Sequence, residues 1–317
     1  MDKIYVLTDR RYAGKGEGST MPAKYVANVL LEDRLVVDAL CRAGFDAERV
    51  AWCDAEVDWA SARACLFRTT WDYFERWPEF STWLEHTSRV TSLLNPPHIL
   101  KWNLDKHYLR DLDEVGCNVV PTRFVRKGTL GRLQCMAEEH GWAEVVIKPA
   151  VAGAAINTYR IHLEERRCAP RSDHGFEELW ARLIREQDML IQPFLPDVVE
   201  AGELSLVWIG GEVTHAVRKQ AKEGDFRVQD DHGGTVTSHR ASPDELEFAR
   251  AAMKACESHC QNQGWPLPLY ARVDMVRDPA GAWAVSELEM VEPELWFRFC
   301  PEAAETLSLA VKERLGV

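Results

Sequence analysis

Two acidic strands near the C-terminus constrain this chain more than anything else in it. Tyr270–Val276 (YARVDMV) and Trp283–Phe297 (WAVSELEMVEPELWF) flank the break DPAGA. Alternation puts Leu269, Ala271, Val273 and Met275 on one face of the first run and Tyr270, Arg272 and Asp274 on the other. In the second run Glu287 and Glu289 share a face, with Ser286, Leu288 and Met290 opposite. Asp-Pro-Ala-Gly is turn chemistry, so the runs are expected to pair as an antiparallel hairpin. With a turn centred on Ala280-Gly281 and no bulge, Asp274 faces Glu287 and Arg272 faces Glu289. Carboxylates that close repel one another unless a cation sits among them. Hard oxygen ligands of this kind suit Mg²⁺ carrying a nucleotide's phosphates. A solvated sheet face with a cross-strand salt bridge would show the same alternation.

At 317 residues the chain can build two or three packed lobes. A formal net charge of −12, with no Lys/Arg run, argues against a nucleic-acid partner. No apolar stretch reaches the roughly 18 residues of a membrane span. The start MDKIYVLTDR lacks the apolar centre of a signal peptide, so no export signal is expected. The nine cysteines are odd in number and include no CxxC pair, which points to reduced thiols and a cytoplasmic location. Cys256, His259 and Cys260 fall on one helical run. Ala249, Met253, Cys256 and Cys260 form its apolar stripe, so these are read as buried thiols rather than zinc ligands. The 12 tryptophans are many for this length, and the sequence gives no reason for them.

Taken in order, residues 2–95 read as an α/β unit with strands at Lys3–Thr8, Phe45–Trp52 and Ala64–Arg68. Helices are expected at Glu32–Gly44 and Glu79–His86. Strands alternating with helices predict a parallel, doubly wound sheet. Neither GxGxxG nor a P-loop is present; Gly14–Gly18 reads as a flexible loop or a ligand lid. Arg68-Thr-Thr-Trp-Asp-Tyr73 follows the third strand, at the end where open α/β sheets bind ligands. Arg68 and Asp72 are therefore candidate substrate-binding residues, the opposing reading being an Arg–Asp pair that closes the strand end. After Asn95-Pro-Pro97, Leu100–Val115 is expected to be one helix. A second α/β lobe follows: strand Val120–Val125, helix Leu130–Glu139, strand Glu144–Lys148, a return through Val151–Arg160, and strand Met189–Leu195. Then come strand Glu203–Ile209, a Gly210-Gly211 turn, strand Val213–Lys219 and the loop Gly224–Gly234. Ser242-Pro-Asp-Glu245 is a capping box opening a helix to about Gln263. The domains expected are residues 1–99, 100–195 and 196–317, with a cofactor cleft between lobes.

In this order the pieces resemble an ATP-grasp enzyme over most of the chain. The resemblance rests on Lys106, Lys148-Pro149, Gln192-Pro-Phe-Leu195, Gly202-Glu203, Arg218-Lys219, Phe226-Arg227 with Gly233-Gly234, Arg272-Val-Asp274 and Glu287-Leu-Glu289. The spacing from Asp274 to the Glu-x-Glu pair is similar to that of glutathione synthetases and D-alanine–D-alanine ligases. The RTTWDY block and the ELEMVEPELWF ending resemble the O-ureido-D-serine cyclo-ligase group. Two departures stand out. Glu289 replaces the usual Asn, which keeps an oxygen ligand and adds charge. The phosphate-covering loop, VAGAAINTYR, keeps only Gly153.

The resemblance implies an ATP-grasp fold behind a doubly wound α/β N-terminal domain. It implies a ligase that phosphorylates a carboxylate and passes the acyl group to an amine, with ATP and Mg²⁺ (or Mn²⁺) as cofactors. Lys106 and Lys148 would meet the phosphates. Gln192, Phe194 and Leu195 would hold adenine, and Glu203 the ribose. Asp274, Glu287 and Glu289 would hold the metal, and Arg272, Arg227 and Lys219 would stabilise developing charge. The partners expected are small carboxylate and amine substrates, with no nucleic acid or membrane and a homodimer left open. Alternatives are a ligase modifying a peptide or protein, and a nucleotide-binding regulator without catalysis.

Overall fold

The computed structural model describes residues 1–317 except 15, 17, 173–174 and 229–232, so parts of the Gly14–Gly18 and Gly224–Gly234 loops lie outside the described residues. Three sheets follow one another along the chain. The first contains β1 (Lys3–Thr8), β2 (Asp46–Ala51), β3 (Ala64–Thr69) and β4 (Ser92–Leu94). They run parallel in the order β2-β1-β3-β4, with α1 (Ala23–Arg42) and α2 (Trp77–Val90) as crossovers. This is the expected doubly wound unit. α1 starts well before Glu32; Pro22 precedes it without a side-chain capping hydrogen bond, so its start shows no capping motif in the sequence. β4 is three residues long, too short for alternation to reveal. The tryptophans find their reason here. Trp52, Trp59 and Trp83 pack edge-to-face and tilted with Phe67 and Phe80, at centroid separations of 5.1 to 5.8 Å for the Trp52–Phe80, Trp59–Trp83 and Phe67–Trp83 pairs.

The second sheet holds β5 (Arg123–Val125), β6 (Glu144–Pro149), β7 (Tyr159–His162), β8 (Arg167–Ala169) and β9 (Met189–Pro193), antiparallel in the order β5-β9-β6-β7-β8. α5 (Leu133–Glu138) and α6 (Phe176–Glu186) cover one face through Leu133, Leu179, Trp180 and Leu183. The expected helix Leu100–Val115 is instead two, α3 (Pro97–Asn103) and α4 (Tyr108–Glu114). The break has a cause: the Lys106 amide donates to Ala150 O at 2.8 Å instead of continuing the helical ladder.

The third sheet is antiparallel in the order β12-β11-β10-β13-β14, from β10 (Glu203–Ile209), β11 (Glu212–Gln220), β12 (Thr235–His239), β13 (Tyr270–Arg277) and β14 (Trp283–Glu289). α7 (Asp197–Glu200) leads into it. α8 (Pro243–Gln263) opens with the expected capping box, Ser242 and Glu245 bonding reciprocally, and stops at Gly264 in the left-handed region. One face of the sheet packs on α8, burying Ala249, Met253 and Cys256 against Ala271, Val273, Met275 and Met290. Cys256 and Cys260 are free and buried, and His259 stacks on Trp102 at 4.7 Å, which removes the zinc alternative. The closing helix α9 (Glu302–Leu315) returns to pack on α1, in a core shared with β1 and β10. Among the described residues no helix is long and apolar enough to cross a membrane.

Candidate active site

The hairpin sets the site. β13 and β14 place Arg272 opposite Glu289 and Asp274 opposite Glu287, the expected pairs, but by a different route. The turn spans Asp278–Ala282, closed by Asp278 N–H to Ala282 O at 2.9 Å with Gly281 at φ 79°. That shifts the strand ends by one residue, and a bulge at Ser286, between Asp274 and Met275 in the pairing, shifts them back. The bulge also turns Ser286 toward the cleft, where its hydroxyl donates to Glu203 at 2.9 Å. β14 is the sheet's edge, and side chains satisfy its open side. Asn103 bridges Leu288 O and Met290 N at 2.6 Å each, and Tyr108 OH accepts from Leu288 N at 3.0 Å.

Above the hairpin lies a cavity of about 340 Å³ bordered by all three sheets' regions. Arg272 is buried and grips Asp274 through two nitrogens, at 2.9 and 2.7 Å, while reaching Glu289 at 2.5 Å. It lies over the Trp296 ring at 5.1 Å. Ser205, on β10 opposite Asp274, donates to the same carboxylate at 2.5 Å. Lys219 pairs with Glu203 and lies 3.3 Å from Asp274. From the second sheet Lys148 reaches Glu287 at 2.9 Å, with Lys106 at 4.0 Å. Four carboxylates thus face four cations.

These contacts separate the ionisations. Burial opposes the charged form of Glu287, but Lys148 and Lys106 hold its carboxyl well below the usual range. Burial likewise opposes Asp274, and Arg272 with Lys219 outweighs it. Glu289 goes the other way. Burial, with Asp274 and Glu287 nearby, pushes it up to about 7 in spite of Arg272. Asp274, Glu287 and Glu289 each offer an oxygen within 4.8 Å of the others, a hard-ligand set that fits Mg²⁺.

A family described as the D-cycloserine synthetase DcsG N-terminal domain matches residues 4–95, and the RimK-like ATP-grasp domain matches residues 177–261. The chain is 33% identical over 314 residues to the cycloserine biosynthesis protein DcsG of Streptomyces lavendulae, covering 93% of this chain and 96% of that protein. It belongs to the ATP-grasp family, in the D-cycloserine synthetase group. The crystal structure of D-cycloserine synthetase DcsG superposes with TM-score 0.81 at 28% identity, covering 99% of both chains. D-alanyl-alanine synthetase A of Vibrio cholerae shares the fold, with TM-score 0.68 at 13% identity over 100% of this chain and 99% of that one. The protein is therefore an ATP-grasp ligase, an enzyme that forms C–N bonds using ATP.

Of the sites expected in this ATP-grasp chain, Lys106, Lys148, Glu203, Lys219, Arg227, Arg272, Asp274, Glu287 and Glu289 all border the cavity. Arg227 is bound there to Asp225, whose carboxyl its guanidinium holds down at about 2. The adenine candidates are not among the residues that border the cavity. Gln192 is buried and donates to Thr122 Oγ1 at 2.8 Å, Phe194 lies under the Arg160 guanidinium at 3.5 Å, and Leu195 packs with Val120 and Val276. Val146 and Val198, near them in the chain or sheet, do border the cavity, and the expected adenine contacts through the backbone of this segment do not depend on its side chains.

Arg68 and Asp72 require a correction. Neither borders the cavity, and they do not pair with each other. Arg68 is 1% exposed, donates to Pro293 O at 3.1 Å and lies over the Phe297 ring. Asp72 accepts from Trp52 Nε1 at 2.6 Å and pairs with Arg76 at 2.9 Å. The cavity takes Trp71, Tyr73 and Phe74 from the same stretch, and Trp71 donates to Glu292 O at 2.9 Å. RTTWDY and ELEMVEPELWF, read separately as motifs, hold each other.

The loop after β6 solves its shortage of glycine with other residues. Ala154, Ala155 and Asn157 adopt φ of 49°, 51° and 54°, a left-handed conformation that costs an ordinary residue about 1 kcal/mol. Gly153 is required, since a Cβ there would lie 2.7 Å from the Phe74 ring. Lys106 Nζ donates to Ala152 O at 2.7 Å and ties the loop to the break between α3 and α4. Sequence reasoning missed Arg11, Tyr12 and Tyr25, which border the cavity from a loop and an uncapped helix start. It also missed Ser205, which period-2 alternation from Glu203 could have found.

Proposed function

We propose that this ligase transfers the γ-phosphate of ATP to the carboxyl group of a small amino-acid-like substrate, and that a nitrogen then displaces phosphate to form the amide, leaving ADP. The observation that carries this reading is the buried Arg272, held at 2.7 Å by Asp274 and 2.5 Å by Glu289 beside Lys148 of the facing sheet. Charge that develops on a transferred phosphoryl group or an acyl oxygen meets fixed cations there, with little reorganisation. Lys106 and Lys148 would take phosphate oxygens, and Arg272 with Arg227 and Lys219 the phosphoryl and acyl oxygens. Asp274, Glu287 and Glu289 would hold Mg²⁺. When bound, Mg²⁺ neutralises the β- and γ-phosphates. The ATP-grasp ligase PsnB, which shares the fold at TM-score 0.60 and 16% identity and is solved with a precursor variant, Mg and ADP, supports this cofactor pair.

The similarity to a cycloserine biosynthesis protein along 93% of the chain favours a small metabolite over a peptide. It also supports closure of a ring, with carboxyl and nucleophilic nitrogen in one molecule. The test is ATP turnover across amino-acid-like acids, with the products identified. ADP and phosphate are expected; AMP and pyrophosphate would overturn the acyl-phosphate route. ATP affinity should fall in excess chelator, and an unchanged affinity would remove the metal from this reading.

A further inference from the structure

One carboxylate on the cavity has no part in the chemistry above. Glu203 is held by Lys219 and Ser286, Asp274 by Arg272, Lys219 and Ser205, Glu287 by Lys148, Glu289 by Arg272, and Glu294 by Arg298. Glu75, also on the cavity, is exposed. Glu292 is half-buried and borders the cavity; its carboxyl is hydrogen-bonded by its own backbone N–H, and no other side chain pairs with it among the described residues. Burial, reinforced by Glu289, pushes its carboxyl up to about 8 against the more distant pull of Lys106 and Arg272. A carboxylate drawn out of water without a direct ion pair is costly, and a cationic ligand lowers that cost.

The backbone that presents Glu292 is fixed. Trp71 Nε1 donates to Glu292 O at 2.9 Å, Arg68 to Pro293 O at 3.1 Å, and Tyr270 OH to Val291 O at 2.9 Å. Trp71 borders the cavity with Tyr12 and Tyr25, at centroid separations of 5.8 and 6.5 Å. An aromatic wall beside an unmatched carboxylate is the chemistry that recognises an ammonium ion. Arg272, on the same cavity, offers the opposite charge to a substrate carboxyl.

We propose that Glu292 is a specificity-determining residue that receives an ammonium group carried by the acid substrate beside its reacting carboxyl. This rests on the reading of the substrate as amino-acid-like. An ammonium bound there keeps its proton and has no lone pair, so it is not the nucleophile. The acyl group is thereby directed to another nitrogen.

The test uses the whole enzyme with saturating ATP and Mg²⁺, and a panel of free α-amino acids, each matched with the α-hydroxy acid of the same side chain. ADP release is the readout. The wild type should favour the amino acid over its hydroxy acid by at least about tenfold in kcat/KM. Glu292→Gln should lower kcat/KM for the amino acid by about 10- to 100-fold, mostly through KM, and so erase the preference. KM for ATP should hold, and Glu292→Asp should restore part of the preference. Equal wild-type use of both acids, or an equal loss of both in Glu292→Gln, would overturn the proposal and leave the ligase reading standing. ADP release with no amino acid of the panel would overturn the amino-acid-like reading itself, and this proposal with it.

Discussion

β13 with β14, and the end of β3 with the segment that follows it, both carry charged residues in strand context, and the fold treats them oppositely. Arg272, Asp274, Glu287 and Glu289 border a cavity, whereas Arg68 and Asp72 are sealed inside. The sheets explain it. β13 and β14 belong to an antiparallel sheet with one face on α8 and the other on the cleft, so alternate side chains keep access to ligand. β3 is an inner strand of a parallel sheet, between β1 and β4, and is buried at all six positions. Polar groups at its end are used to fasten the neighbouring 291–297 segment. Charge at a strand end thus marks a site in the first setting and a joint in the second.

Four substitutions test that contrast, from the largest effect to the smallest. Glu287→Gln should lower kcat/KM by on the order of 10³-fold, about 4 kcal/mol. Some unfolding free energy should also be lost, because Lys148 and Lys106 favour the ionised carboxyl over burial, but the variant should stay folded and the kinetic loss should dominate. Near-normal turnover would make the carboxylate patch structural. Arg68→Leu should do the reverse. It leaves Asp33 and Pro293 O without their buried cation, and should cost about 3 kcal/mol in denaturant unfolding while the KM of the acid moves little. A raised KM with unchanged stability would return Arg68 to the site.

Lys148→Met should weaken ATP binding by about 1.5–3 kcal/mol, seen by calorimetry with Mg²⁺ present. An unchanged affinity would mean that Lys148 serves only Glu287. Ser242→Ala removes the cap of α8, on the face away from the cavity. About 1 kcal/mol of stability should be lost with no change in KM for either substrate. A kinetic effect there would show that the α8 face of the third sheet is not isolated from its cleft face.

Legibility followed the same divide. Alternation showed β13 and β14, and the residue pairs across them, because a half-exposed antiparallel strand writes its two faces into its sequence. The pairs came out right although the turn differed, since the bulge at Ser286 restored the register. The capping box made the start of α8 readable, while α1, with no cap, hid its first turns and with them Tyr25. The α3–α4 break was invisible because its cause, a bond from Lys106 to Ala150, joins distant segments.

The sequence by itself determined the parallel N-terminal sheet, the hairpin and the family's ordered set of charged residues, all of which rest on local periodicity and residue chemistry. Tertiary structure decided which charges became a site. Only the packing of the 291–297 segment over β3 could bury Arg68 and leave Glu292 beside the cavity. Burial depends on what lies across a strand in space, and nothing in the spacing of RTTWDY or ELEMVEPELWF records that the two would meet.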